Sequence, residues 1–597
     1  MKKNKKIILF VVLILMVMAL VILVCNANLK LKIGKKIGMM NGKIDDWEYS
    51  GQSSYNDGTV MSGIFKSANS FSSNAGISPS SISPSFDAAE SSTIGFSVGG
   101  AKDVENFREN IKNGYFPIST DITYNGLFYD YTFNTGKKAE SKDLFSPSYS
   151  TAISKDPISL KDEYYMTVGL NSNIKESDFQ RKKLNLVVVL DISGSMSSGF
   201  DTYYYDTFNK KDIEINKDSS KTKMQIANES VNILIDQLND DDRFGMVLFD
   251  DSAYIGKPIS LVGETNIDAI KEHILEIGAM GGTNFEAGYT EATKLFEEYK
   301  NINSNEYENR IIVITDAMPN YGTTSKDGLM SYVQDNAKEG IYTTFIGVGV
   351  DFNTELIETI SDVKGANYYS VHSAKEFKEQ MGEQFEYMVT PLVFDLKLNL
   401  ESTRYEIDGV YGSDTVNTLT GDIINVNTLF PSTTTDDGEV KGGVILLKLK
   451  KLENTKSNEI KLHVEYKDRE GKQYSNEQNV SFEGNKEYYE NNGIRKAIAL
   501  TRYANVLKNW ILYERFESPR FIINDVYGIK DCDCLDDEQV YRMLGEHERT
   551  SVKLSVSDEY REVFSEFKEY IQKELQEIKD STMKQEVEIL DLLIKTK

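Results

Sequence analysis

A multidomain chain is predicted, with a doubly wound, Rossmann-like α/β domain at its centre, a flanking β-sandwich and a helical C-terminal region. Three observations predict it. The run Leu186-Val-Val-Val-Leu190 is unbroken and apolar and stops at Asp191, and Ile311-Ile-Val-Ile-Thr315 is a second such run stopping at Asp316. Runs of this kind suit strands buried on both faces of a parallel sheet. Between and beyond them, strand-like and helix-like stretches alternate as far as residue 388, which is the order a parallel sheet with right-handed crossovers needs. From residue 392 the pattern changes to short strand-like runs divided by turn residues, and from 485 to helical spacing.

Size and composition set the frame for these elements. At 597 residues the chain is too long for one core, so several folded units follow. A hydrophobic content of 40% with 11% aromatics excludes wholesale disorder. The formal net charge of −25 argues against nucleic acid, whose phosphates would be repelled. Three cysteines form no disulfide framework.

Residues 1–28 read as a membrane anchor or a signal peptide. Four lysines in the first six residues precede eighteen residues, Ile7 to Val24, without a polar side chain. As a helix that run is about 27 Å long, near the thickness of a bilayer's hydrocarbon. An uncleaved anchor is favoured over cleavage near Ala27 and over lipidation at Cys25, because a cleaved signal has a shorter apolar region and Val24 stands where a lipobox wants a small residue. The folded part is expected outside the cell, at the membrane if anchored and secreted if cleaved. Residues 29–100 read as a Ser/Gly-rich tether with little apolar surface to bury.

Residues 101–181 read as a small α+β module. A helix is expected over 104–114, with Phe107 and Ile111 on one face and Gly114 as its stop. Residues 115–133 alternate in part, as strands do, and 164–170 is a further strand. The α/β domain follows over 182–389. Its helices are expected at 223–238, 266–277, 285–299, 326–338 and 374–388, and its strands at 186–190, 243–249, 311–315 and 341–348. Residues 390–484 read as sandwich strands, including 394–400, 443–449 and 462–467, and the flanks on either side of the α/β domain are expected to pair. Residues 485–597 read as helices over 493–516 and 558–594. In the second, Phe564, Phe567, Ile571, Leu575 and Ile578 form a core stripe.

The chemistry gathers at the ends of the two apolar runs. Asp191, Ser193 and Ser195 offer a carboxylate and two hydroxyls on alternate positions just past a strand's carboxyl end. Open α/β sheets place their ligands there. Thr283 adds a hydroxyl on the loop Gly281-Gly-Thr-Asn284, and Asp316 adds a second carboxylate. Hard oxygen donors of this kind suit Mg²⁺, Mn²⁺ or Ca²⁺ rather than zinc.

With these five residues in order between matching strands, the middle of the chain resembles a von Willebrand factor type A domain. Asp191, Ser193, Ser195, Thr283 and Asp316 match that family's metal-ion-dependent adhesion site. The approach over 101–181 resembles, more weakly, a module found in bacterial cell-envelope proteins. One departure is Ala317, where the family usually has Gly. The resemblance implies a Mg²⁺ or Mn²⁺ ion, with Ca²⁺ also admitted, whose open position takes an Asp or Glu of a protein ligand. It implies a membrane-anchored extracellular binding protein rather than an enzyme. Two other readings stay open: an envelope component in which the cation only stabilises the fold, and a metal-dependent hydrolase. The segment 197–221 is longer than the family's, and its Tyr203, Tyr204 and Tyr205 are candidates for partner recognition, since rigid aromatics bind at low entropic cost.

Other constellations carry less. The acidic stretch Asp531-Cys-Asp-Cys-Leu-Asp-Asp-Glu538 lacks the glycine and the distal Glu of a calcium loop, and the spacing of Cys532 and Cys534 does not fit structural zinc. The four histidines are scattered, and no phosphate loop is present.

Overall fold

Successive side chains of the strand Lys183–Asp191 face opposite sides of one sheet and meet two different cores. Leu186, Val188 and Leu190 pack with the helices Lys223–Ile235, Ile267–Leu275 and Ala374–Met388. Val187 and Val189 pack with Phe285–Leu295, Lys326–Lys338 and Thr354–Ser361. A strand covered on both faces has no side for polar residues, which is why the run is unbroken. The computed structural model describes residues 38–40, 43–50, 93–102, 104–137, 142–209, 221–299, 306–413, 416–417, 423–452, 459–483, 486–517 and 547–596.

The sheet of this domain has seven strands in the order Ala253–Leu261, Arg243–Phe249, Lys183–Asp191, Tyr307–Thr315, Ile341–Val348, Asn367–Val371 and Gly100–Ala101. All neighbours are parallel except the first pair. The expected elements of the domain are present, some shorter or longer at their ends: the helix expected over 223–238 ends at Ile235. Sequence reading passed over the edge strand 253–261, the short inner strand 367–371 and the helix 354–361. Each is short or half-exposed, which leaves a periodic pattern few residues to build on.

Two antiparallel sheets stand beside this domain. One runs Gln473–Ser481, Glu459–Lys467, Val393–Glu401, Ile423–Ser432, Thr93–Val98 and Asn171–Lys175. The other runs Tyr405–Tyr411, Val444–Lys451, Asp162–Gly169, Ser148–Lys155 and Tyr488–Tyr489. Phe96, Leu396, Val426 and Val464 of the first sheet share a core with Met166, Val168, Ile445 and Leu447 of the second. Strands from both sides of the α/β domain therefore pair directly: Val444 lies opposite Gly169 and Leu449 opposite Tyr164.

Several boundaries drawn from the sequence move. The tether expected over 29–100 does not extend to its end, because Thr93–Val98 is a buried strand paired to 423–432 and Gly100–Ala101 edges the α/β sheet. Residues 43–50 also lie on the α/β domain: the Asp46 carboxylate meets buried Lys257 at 3.0 Å and the Trp47 ring stacks on His273. Residues 51–92, the apolar run 7–24 and the Cys532–Cys534 stretch lie outside the described residues. Among the described residues, no helix is long and apolar enough to cross a membrane.

Residues 101–181 are not a module of their own. Residues 115–133 hold the helix Tyr124–Tyr129 and only a two-residue strand, Thr132–Phe133, in place of the strands expected there. Aromatic side chains at positions 116, 128 and 133 enter the same core as the C-terminal helix Asn492–Glu517, whose Trp510 is fully buried between Phe116 and Phe564. The stretch expected as one helix over 558–594 is a hairpin of Asp558–Ile578 and Lys584–Lys595, broken where Lys579 takes a left-handed conformation at φ 62°. Both arms keep the apolar stripe that predicted helix, because both face the same core.

Candidate metal centre

Asp191 ends the central strand and is fully buried. One carboxylate oxygen accepts from the Ser193 amide at 2.9 Å, which turns the chain so that the Ser193 and Ser195 hydroxyls stand 3.0 Å apart. The other accepts from the Thr315 hydroxyl at 2.6 Å. Thr315 lies one step past the last paired residues of the neighbouring strand, Ile314 and Leu190, so parallel register delivers it to Asp191. Burial, and then the charge of Asp316, push the Asp191 carboxyl up to about 7.

Asp316 is also fully buried. Its Oδ2 accepts from the Lys223 ammonium at 3.0 Å, and its Oδ1 has no hydrogen-bond partner among the described residues. Lys223 is the first residue of its helix and also meets the Asp351 carboxylate at 2.6 Å. Burial works to lower the Lys223 pKa, but Asp316 and Asp351 outweigh it and hold the ammonium above its ordinary value. Gly349, at φ 91°, admits that side chain: a Cβ there would lie 2.8 Å from Lys223 Cε. Ala317 sits at φ 58°, so it adopts the left-handed conformation that Gly takes more easily.

The third loop is held against the first. The Met280 amide donates to the Ile192 carbonyl at 2.7 Å and the Gly194 amide to the Gly281 carbonyl at 2.9 Å. Thr283 is buried, its amide donating to Asn320 Oδ1 at 2.8 Å while its carbonyl accepts from the amides of Asn320 and Tyr321. The loops bearing all five expected residues thus converge at the carboxyl edge of the sheet. Sequence reading missed Lys223, Thr315, Asn320 and Asp351. Lys223 follows the helix-capping Thr222, where a lysine reads as a solvated helix start.

The tyrosines need a correction. Tyr203 is 4% exposed, its hydroxyl donates to Asn110 Oδ1 at 2.8 Å and its ring packs edge-on against Tyr115, so it is an internal residue and offers no surface to a partner. Tyr204 and Tyr205 are half-buried. The Tyr204 amide donates to Asp351 at 3.0 Å, and Tyr205 hydrogen-bonds Glu548 within reach of the Asp316 charge. The exposed aromatic at the rim is Tyr321, 54% exposed, whose ring lies against Gly282.

This donor set fits a small divalent cation. Two carboxylates and neighbouring hydroxyls are hard oxygens, and the Asp316 oxygen without a partner is a buried acceptor that a cation would satisfy. Among the described residues no group of three His, Cys, Asp or Glu could hold a metal, so the hydroxyls would have to complete the set. A pH dependence follows. Asp191 takes up its proton near pH 7 when folded but near 4 when unfolded. Between those values the folded state binds more protons, so stability falls as pH rises. In chelator, Asp191→Asn should therefore show a flatter decline than wild type from pH 4.5 to 7.5, the difference being on the order of a few kcal/mol. Urea midpoints check it, and equal slopes in the two chains would place the titration elsewhere.

A family model for the von Willebrand factor type A domain matches residues 186–318, the span from the central strand to just past Asp316. The chain contains a von Willebrand factor type A domain. Among curated proteins, inter-alpha-trypsin inhibitor heavy chain H4 of Homo sapiens is 25% identical over 232 residues, 37% of this chain and 22% of that protein. Heavy chain H2 of Mus musculus is 21% identical over 218 residues, 36% of this chain and 21% of that protein. The chain spans about a fifth of the length of these relatives. Among solved structures, a von Willebrand factor type A protein from Catenulispora acidiphila is 13% identical, with a TM-score of 0.37 over 69% of this chain and 99% of that one. The ArnB paralog VWA2 from Sulfolobus acidocaldarius is 13% identical, with a TM-score of 0.34 over 75% and 97%. The type A domain's match begins in the strand that carries Asp191 and ends two residues beyond Asp316.

Proposed function

We propose that this chain is a membrane-anchored extracellular binding protein whose type A domain uses a divalent cation to grip an acidic group of a protein ligand. Mg²⁺ or Mn²⁺ suits the compact, mostly neutral oxygen set better than Ca²⁺, which prefers more ligands. Asp191, Ser193, Ser195, Thr283 and Asp316 would hold the ion, directly or through water, with no catalytic residue assigned. The observation that carries this reading is the buried Asp316 oxygen with no hydrogen-bond partner among the described residues, close enough to buried Asp191, on the adjacent strand, for its charge to act on that carboxyl. Type A domains generally serve protein–protein interaction, which supports the choice of partner. Anchoring rests on the apolar run 7–24. Tyr321 at the rim, with Tyr204 and Tyr205 beside it, would contact the ligand around the cation.

Thermal unfolding under titration with Mg²⁺ tests the site. Wild type should gain about 2.7 kcal/mol at a hundredfold excess over the dissociation constant. Asp191→Ala should gain nothing, while its cation-free fold survives on the buried strands. An equal gain in both chains would remove these residues from the site.

A second reading, in which the cation only ties the loops together, draws support from Lys223, whose ammonium already compensates part of the charge. Ser193→Ala separates the two readings. Loss of ligand capture from intact cells, with folding retained, supports adhesion; capture that survives both Ser193→Ala and chelator supports the structural role.

A further inference from the structure

The ligand face of the type A domain carries a segment of the chain's own C-terminal region. Residues 547–554 cross the loops that follow the strands ending at Asp191, Thr315 and Val348. The His547 side chain donates to the Thr324 carbonyl at 2.6 Å, and the His547 carbonyl accepts from Asn353 at 3.1 Å. The Arg549 guanidinium stacks 5.7 Å over the Tyr203 ring, and the Ser551 amide donates to Asp206 at 2.9 Å. Beyond these, Val552 and Leu554 bond backbone to backbone with Phe116 and Gly114.

Glu548 is the one acidic residue in 547–556. Its neighbours on both sides are pinned, which places its carboxylate over the rim. Asn320, on the loop after Asp316, donates to it at 2.9 Å, and Tyr205, on the loop after Ser195, hydrogen-bonds it as well. Asn320 also holds the Thr283 amide, so one side chain links Glu548 to a residue of the metal set. Glu548 thus stands at the rim of the face that holds Asp191 and Asp316, tied to it through Asn320 and Tyr205, while the Lys223 ammonium is shared between Asp316 and Asp351. Asp316 Oδ1, buried and without a hydrogen-bond partner among the described residues, is the acceptor that a divalent cation would satisfy.

We propose that Glu548 is the site's own acidic ligand: the C-terminal segment supplies in cis the carboxylate for the cation's open position and closes the chain onto its metal face. The proposal rests on the metal reading above and names the first occupant of that position as intramolecular. An external acidic ligand must then displace Glu548, and the cation serves as a clasp until it does.

Mn²⁺ binding by the full chain, read by the electron paramagnetic resonance of free Mn²⁺, decides between the outcomes. Glu548→Gln keeps the size and polarity of the side chain but removes its charge. It should weaken Mn²⁺ binding about tenfold or more, and Glu548→Asp, which keeps the charge, should weaken it less. Equal losses in the Gln and Asp variants, or no loss in the Gln variant, overturn the ligand role. If Asp191→Ala abolishes Mn²⁺ binding while Glu548→Gln leaves it unchanged, this proposal falls and the metal centre stands. A wild-type chain that binds no Mn²⁺, or one whose affinity survives Asp191→Ala, overturns both.

Discussion

Lys223→Met is expected to cost about 3–5 kcal/mol of folding stability in chelator, the range for removing one partner of a buried ion pair. The lysine lies fully inside, between Asp316 and Asp351, and methionine fills its volume without its charge. Both carboxylates would then be buried without a counter-ion beside Asp191, whose own charge is already disfavoured. The same change should strengthen Mg²⁺ binding about tenfold, or 1.4 kcal/mol, because the cation no longer shares Asp316 with an ammonium. Part of the lost stability should therefore return on adding Mg²⁺. Urea denaturation with and without the ion measures both effects. A variant as stable as wild type in chelator would show that the ammonium is not what holds these carboxylates.

Arg108→Met should cost a similar amount, about 3–5 kcal/mol, in a second buried ion cluster. The Arg108 guanidinium is buried among Glu105, Asp130 and Glu586, meeting Asp130 at 2.6 Å. Tyr131 donates to the same Glu586 oxygen at 2.7 Å. This group joins the helix Glu105–Lys112 to Lys584–Lys595, nearly the length of the chain away. Burial pushes Asp130 up to about 6 against the pull of Arg108. Without the arginine the carboxyls must take up protons or stay charged and unpaired. The loss should accordingly be greater at pH 8 than at pH 5, where protonation relieves it. Hydrogen exchange should quicken in 558–578 and 584–595 and stay unchanged in the strand 183–191. Unaltered exchange in the two helices would mean that packing alone holds the C-terminal hairpin.

What was legible in the sequence follows from what is local. Leu186 to Leu190 gave a two-faced buried strand because each of those side chains is apolar, and their fate does not depend on which strand lies beside them. The five oxygen-bearing residues were legible because each sits just after such a strand or before a helix, where the chain turns and side chains gather. The hairpin at Lys579 was not, since a left-handed lysine leaves no trace in a continuous apolar stripe.

Charge partners were decided by tertiary structure alone. Lys223, Thr315 and Asp351 reach the centre from three different elements, and only parallel register brings Thr315 to Asp191. The same holds for the domain divisions. Residues 101–181 look self-contained, yet their apolar side chains are completed by strands 444–451 and by helices from beyond residue 492. Periodicity reports that a face is buried but not what buries it, because the covering surface lies hundreds of residues away. Glu548 is the limiting case. In sequence it is one glutamate in an acidic chain, and only the path of 547–554 across the sheet's carboxyl edge sets it over Asn320.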